Sequence, residues 1–210
     1  MYITSYCHIR RQKLAYNGEV TYSGDHDNLD SFLTDAYQSL NIAYPKFYKM
    51  DRLSKLGLLA SELLVQGSTT KLDYNIHQIA LVLANANASL DTDIRFFEST
   101  KTLASPSLFV YTLANIVAGE ICIRHGIKGE NAFFIQPVFD ASHIAQYVNL
   151  LMATTKTEIC MAGWVDVLGE HHDVFLYLTE KTKNGIAKEH TGEELQKLYQ
   201  STYGSIDLQP

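Results

Sequence analysis

The sequence predicts an α/β layer fold: a mixed sheet with helices packed on it. Three observations lead there. Short apolar runs of strand length recur at residues 78–84 (QIALVLA), 132–135 and 158–168, as strands covered on both faces require. Stretches with apolar residues at helical spacing lie between them. The 210 residues, 46% of them hydrophobic, suffice for one sizeable core, so one main domain is expected. The order reads β-α-β-α-β-α-β-β, which implies right-handed crossovers between parallel strands.

Residues 2–9 make the first strand, with Tyr2, Ile3, Tyr6 and Ile9 among its apolar positions. Residues 13–30 are polar and rich in Gly, Asn and Asp, which marks a loop or hairpin excursion. Residues 41–49 (NIAYPKFYK) form an irregular aromatic approach to a helix over 50–65. That helix carries Leu53, Leu56, Leu59, Ala60, Leu63 and Leu64, and a Gly-Ser-Thr-Thr cluster ends it. The strand over 78–84 leads through small polar residues into a short helix at 90–97. Residues 105–129 (SPSLFVYTLANIVAGEICIRHGIKG) predict one long helix buried nearly all round. Ser105 serves as N-cap, Pro106 as first helical residue and Gly126 as C-cap. A strand at 132–135, a helix at 140–154 and strands at 158–168 and 173–178 follow, the last two adding an antiparallel edge. The tail is polar, with a short helix at 191–199 opened by a capping box at Thr191 and Glu194.

Composition excludes several classes of function. A formal charge of −6, with no basic cluster larger than Arg10, Arg11 and Lys13, argues against nucleic acid or an anionic membrane as partner. No stretch reaches the ~18 apolar residues of a membrane span, and the N-terminus lacks an apolar signal core. Cys7, Cys122 and Cys160 are few and widely spaced. They predict neither a disulfide framework nor a zinc site, sit in apolar settings and fit a reducing cytoplasm. His171, His172 and Asp173 invite a metal. Neighbours on a strand point to opposite faces, however, and no third ligand is spaced to join them. Asn87 and Ser89 follow the 78–84 strand, where α/β folds often bind ligands, but a polar helix start explains them better. No glycine motif cradles a phosphate, so no cofactor is expected.

Three strings carry a resemblance: KMDRLSKLGLLASELL (49–64), residues 105–129, and EICMAGWVDVL (158–168). As an ordered set they resemble the N-terminal half of the β-ketoacyl synthases, whose fold is thiolase-like. The resemblance spans most of residues 2–178. It implies half of a thiolase-like fold, with a ketosynthase-like domain at 1–182 and a polar tail at 183–210. It further implies that the strand of Ala132, Phe133, Phe134 and Ile135, with Asn115 on the preceding helix, meets a partner at a dimer axis. A strand with an unpaired edge would itself invite association.

The family's nucleophilic cysteine opens the helix after that strand, where the helix N-terminus lowers a thiol pKa. Counting back from Ala162 and Gly163 puts the position at Val138 or Phe139, neither of which can attack a thioester. Asp140 reads as an N-cap. The family's two histidines belong to a C-terminal half that this sequence does not include, so no catalytic residue and no metal are expected. These departures resemble the short, cysteine-lacking, chain-length-factor-like proteins of aryl polyene and flexirubin-type pathways. The resemblance implies a non-catalytic subunit that pairs with and stabilises a catalytic ketosynthase in fatty acid or polyene-type chain elongation. The partner is that ketosynthase or a second copy, with acyl carrier protein a further candidate. Two alternatives stand beside it: a thioester-directed acyltransferase or hydrolase using Ser142 or His143, and a homodimeric acyl-binding module. The helix at 140–154 sets Ile144, Tyr147, Val148 and Leu151 against Ser142, His143, Gln146 and Asn149. Such a helix suits a half-domain whose other face meets solvent or a partner, so the chain is expected to be complete as written.

Overall fold

Each apolar run of the sequence becomes a strand of one eight-stranded mixed sheet in the computed structural model, which describes residues 1–70 and 72–201. Across the sheet the order is β3 (Glu19–Ser23), β2 (Lys13–Tyr16), β1 (Tyr2–Arg10), β7 (His171–Glu180), β6 (Ile159–Leu168), β4 (Ile79–Asn85) and β5 (Asn131–Ile135). A two-residue strand, β8 (Lys188–Glu189), pairs with the start of β1. Strand β4 runs parallel to both β5 and β6, and the remaining pairs are antiparallel.

The central strands read as continuous hydrophobic runs because they serve two cores. On β4, Ile79, Leu81 and Leu83 enter one core while Ala80, Val82 and Ala84 enter the other. On β6, Met161 and Val165 are divided in the same way from Cys160, Ala162 and Trp164. Helices α1 (Leu29–Ser39), α2 (Arg52–Gly67) and α5 (Ile116–His125) contribute to the first core; α6 (Ala141–Thr154) and α7 (Gly192–Gln200) contribute to the second. Strands β6 and β7 come so close at Gly163 (φ 144°) that a Cβ there would lie 2.0 Å from the Phe175 carbonyl oxygen. Only glycine allows that approach.

Of the two forms expected for residues 13–30, a loop or a hairpin, the structure has the hairpin, β2–β3, turned at Asn17 and Gly18 with positive φ at both. Other expectations need correction. Helix α1, which the sequence reading passed over, is capped by Asn28 and buries Leu29, Phe32, Leu33, Ala36 and Tyr37. The β6–β7 pair lies in the middle of the sheet, because β1 pairs along the other side of β7 and continues into β2. The single long helix of residues 105–129 is two: α4 (Pro106–Val110) and α5. Thr112 turns back on the Phe109 carbonyl through its N–H (3.2 Å) and its hydroxyl (2.8 Å), a local bond that competes with helix propagation. Tyr111 turns inward to donate to Glu120 Oε1 at 3.1 Å. Far from being buried all round, this stretch leaves Phe109, Val110, Leu113 and Ile123 exposed. Its caps are as expected, with Ser105 at the start and Gly126 left-handed (φ 68°) at the end.

The polar tail docks back on the domain. Leu195 and Leu198 are buried, and Arg10 donates to the Tyr199 carbonyl at 2.7 Å. This segment also covers part of the flank of α6 expected to meet solvent or a partner. Asn149 bonds to His190, and Gly192 lies so close to Ser142 that a Cβ on it would be 2.8 Å from the Ser142 hydroxyl. Residues 202–210 of the expected tail lie outside the described residues.

Candidate functional site

The candidate site is the corner between β5 and α6. Strand β5 ends the sheet, and its Gln136 N–H donates to the Asn85 carbonyl at 2.9 Å, fixing the exit of the chain. Pro137 and Val138 then turn outward, Phe139 turns inward, and α6 begins. The Asp140 carboxylate caps the helix by accepting from the His143 N–H at 2.9 Å.

Val138 is 67% exposed and Phe139 only 5%. The Phe139 ring packs on Tyr199 (4.6 Å between centroids), Phe175 (5.5 Å) and Trp164 (6.2 Å). Nothing at either position can attack a carbonyl carbon. A helix N-terminus ordinarily favours a thiolate or an oxyanion, but here the Asp140 carboxylate already occupies it and would repel one. Beside this corner, Val138, Asp140, Ser142, Glu193 and Lys197 help to line an open cleft of about 530 Å³.

The other hydroxyl and thiol candidates are no better placed. Ser142 is exposed and abuts Gly192. The adjacent His143 ring is engaged elsewhere, with Nδ1 against the Gln136 amide and its edge on Phe134 at 4.9 Å between centroids. Ser142 and His143 therefore do not pair with each other. Burial pushes the Cys7 thiol up to about 12, with a backbone bond to Leu176 opposing it weakly, and burial also raises Cys122 and Cys160. All three cysteines therefore remain thiols at neutral pH.

His171 is exposed, whereas the His172 ring stacks on Phe32 at 5.8 Å and Asp173 takes Arg10 and the Tyr199 hydroxyl (2.6 Å). Among the described residues no three His, Cys, Asp or Glu side chains are grouped to hold a metal. The loop of Asn87 and Ser89 is closed on itself: the Asp166 carboxylate accepts from the N–H groups of Ala86 and Asn87, both at 3.0 Å, and from the Asn87 amide at 2.7 Å. Among the described residues no helix is long and apolar enough to cross a membrane.

The outer edge of β5 is a different kind of surface. Neither charge, proline nor bulge blunts it, although those are the usual guards of an exposed strand. Phe133 leans on the first core and Ala132 and Phe134 on the second, while Ile135 stands 61% exposed. Asn115 is exposed at the start of α5, a helix that packs against β5. The sequence reading missed further exposed apolar side chains, Phe97 on α3 (Leu90–Ser99) and Leu103 after it. Spacing gave no signal for them, since Leu90, Ile94 and Phe97 stand at i, i+4 and i+7, the pattern of a buried helix face, yet all three are exposed.

No protein-family model matches the sequence, and no curated protein does. Solved structures do. "The ishigamide ketosynthase/chain length factor" superposes with a TM-score of 0.61 at 15% identity, over 89% of this chain and 63% of that one. The chain has a ketosynthase-like fold. A chain from the complex of the ketosynthase ApeO with its chain length factor ApeC, from Xenorhabdus doucetiae, matches with a TM-score of 0.55 at 11% identity. That match covers 95% of this chain and 90% of that one. A β-ketoacyl synthase from Burkholderia phymatum matches with a TM-score of 0.58 at 12% identity, over 86% and 59%. The chain thus spans under two thirds of the ishigamide and Burkholderia proteins and nearly all of the Xenorhabdus chain.

Proposed function

We propose that this chain is a non-catalytic, chain-length-factor-like subunit that pairs with a catalytic ketosynthase and stabilises it in fatty acid or polyene-type chain elongation. The observation that carries the reading is the β5–α6 corner. A ketosynthase-like scaffold brings the chain to the start of α6 with Val138 and Phe139 in place of a nucleophile and a carboxylate, Asp140, on the helix end. Residues 1–182 form the ketosynthase-like domain and 183–210 an appendage to it. The partner surface is the edge strand of Ala132, Phe133, Phe134 and Ile135 with Asn115. The open edge of β5 and the exposed Phe109, Val110, Leu113 and Ile123 nearby in sequence support it. Charge around the corner is mixed in sign, which suits a protein surface better than a phosphate backbone.

The test is co-expression with ketosynthases of the same genome, followed by size exclusion and light scattering. A 1:1 complex that retains condensing activity supports the reading, whereas a chain that stays monomeric beside every such ketosynthase refutes it. The hydrolase or acyltransferase reading gains nothing from the geometry, because Ser142 has no activating base.

A further inference from the structure

Away from the β5–α6 corner, a tightly specified polar group is His190, in the turn between β8 and α7. It is 4% exposed and is held from three sides. Its backbone N–H donates to the Met1 carbonyl at 3.1 Å, Nδ1 lies 2.7 Å from Asn149 Oδ1 on α6, and Nε2 lies 3.0 Å from the Tyr177 hydroxyl on β7. The Asn149 amide is oriented by its own donation to the His190 carbonyl at 3.2 Å, so its Oδ1 faces the ring. An amide oxygen only accepts. Nδ1 must therefore carry the proton, and Nε2 takes the hydrogen of Tyr177.

This arrangement satisfies a neutral ring and no other. A protonated His190 would donate from both nitrogens and reverse the Tyr177 hydroxyl, leaving its hydrogen unpaired in a buried site. The charged and titratable neighbours do not relieve that. From the β1 end the Met1 ammonium opposes a second positive charge, and β7 presents only Tyr177, with Cys160 of β6 behind it. Helix α6 presents the neutral Asn149. On the same segment Lys188 is paired with Glu194 at 3.2 Å, and Lys197 of α7 with Glu193 at 2.7 Å. Burial first, and the Met1 ammonium second, lower the His190 pKa to about 4.

What His190 fastens is small: a two-residue strand and a nine-residue helix whose buried apolar anchors are Leu195 and Leu198, with Tyr199 over Phe139. We propose that residues 188–200 form an acid-releasable strap, which protonation of His190 unfastens from α6 and β7 while the sheet stays folded. Release uncovers the α6 face of the second core and the Phe139 corner together.

The sign follows from linkage. The docked state prefers the neutral ring, so docking is strongest above the ordinary histidine value of 6.5, weakens as pH falls below it and levels off below about 4. With those two values the opening constant of the strap rises about 30-fold at pH 5 and about 150-fold at pH 4, relative to pH 8.

Hydrogen exchange of the full chain between pH 8 and pH 4, corrected for intrinsic rates, reads this directly. Peptides from 188–200 should open about 30-fold more at pH 5 than at pH 8, while peptides from β6 and β7 do not. His190→Gln keeps a donor and an acceptor but cannot titrate. Asp173 and Glu194, which also hold α7, are the same in both proteins, so the difference between them isolates the ring. An identical pH profile in His190→Gln overturns the proposal, as does a strap that opens only together with β6 and β7. Should His190→Gln fail to fold, Tyr177→Phe serves instead: removing the donor to Nε2 weakens the preference for the neutral ring, so the opening should level off at higher pH with a smaller total rise between pH 8 and pH 4, and an unchanged rise overturns the proposal equally.

Discussion

The proposed partner surface makes a sharp demand on Ile135. Its side chain is 61% exposed in the isolated chain and lies at the end of the open edge of β5. Full burial of an isoleucine is worth about 1.5–3 kcal/mol, so covering the exposed share on association contributes about 1–2 kcal/mol. Ile135→Asp forfeits that and also desolvates a carboxylate against an apolar partner, bringing the total to at least about 3 kcal/mol, or roughly 100-fold in affinity. In the isolated chain the same carboxylate faces water, and the change in stability should stay within about 0.5 kcal/mol. Val20 on β3, at the far edge of the sheet and 40% exposed, supplies the control, because Val20→Asp should leave association untouched. Titration calorimetry against the co-expressed ketosynthase gives the affinities, and urea melts of the isolated chain give the stabilities. Equal affinities for wild type and Ile135→Asp would remove β5 from the interface; a large loss of stability in the isolated chain would show that the side chain acts within the fold instead.

Three further outcomes are expected. Gly163→Ala drives a Cβ into the Phe175 carbonyl at the centre of the sheet and should cost more than about 3 kcal/mol in a urea melt, whereas Gly119→Ala, with nothing within 4 Å, should stabilise α5 by up to about 1 kcal/mol. A thiol installed by Val138→Cys should alkylate with an apparent pKa at or above the ordinary ~8.5, because Asp140 holds the helix end. Adding Asp140→Asn, which keeps a cap without the charge, should lower that pKa by a measurable fraction of a unit. Iodoacetamide at pH 7.5 should leave Cys7 and Cys160 unlabelled in the native chain, by mass spectrometry, until urea exposes them, since burial raises both thiols.

The sequence was most legible where one residue type answers to one physical requirement. Gly126 at a left-handed cap, Asp140 at a helix start and the doubly buried runs of β4 and β6 could each be read directly. It was least legible where the requirement lies elsewhere in the chain or outside it. Phe109, Leu113 and Ile123 stand at helical spacing, and spacing alone says that such residues are buried without saying against what. Taken as self-burying, they imply one long core helix; the fold leaves them exposed, beside the surface proposed for a partner. The tail poses the converse case. Leu195, Leu198 and Tyr199 are sparse among charges and read as a solvated end, yet they close the second core against α6 and set Tyr199 over Phe139. The two misreadings share one physical cause: apolar content shows that a side chain seeks cover, and only the three-dimensional neighbourhood decides whether the cover is supplied from within. Here it is supplied over the Phe139 corner and withheld along β5, the edge at which we propose a second subunit supplies it.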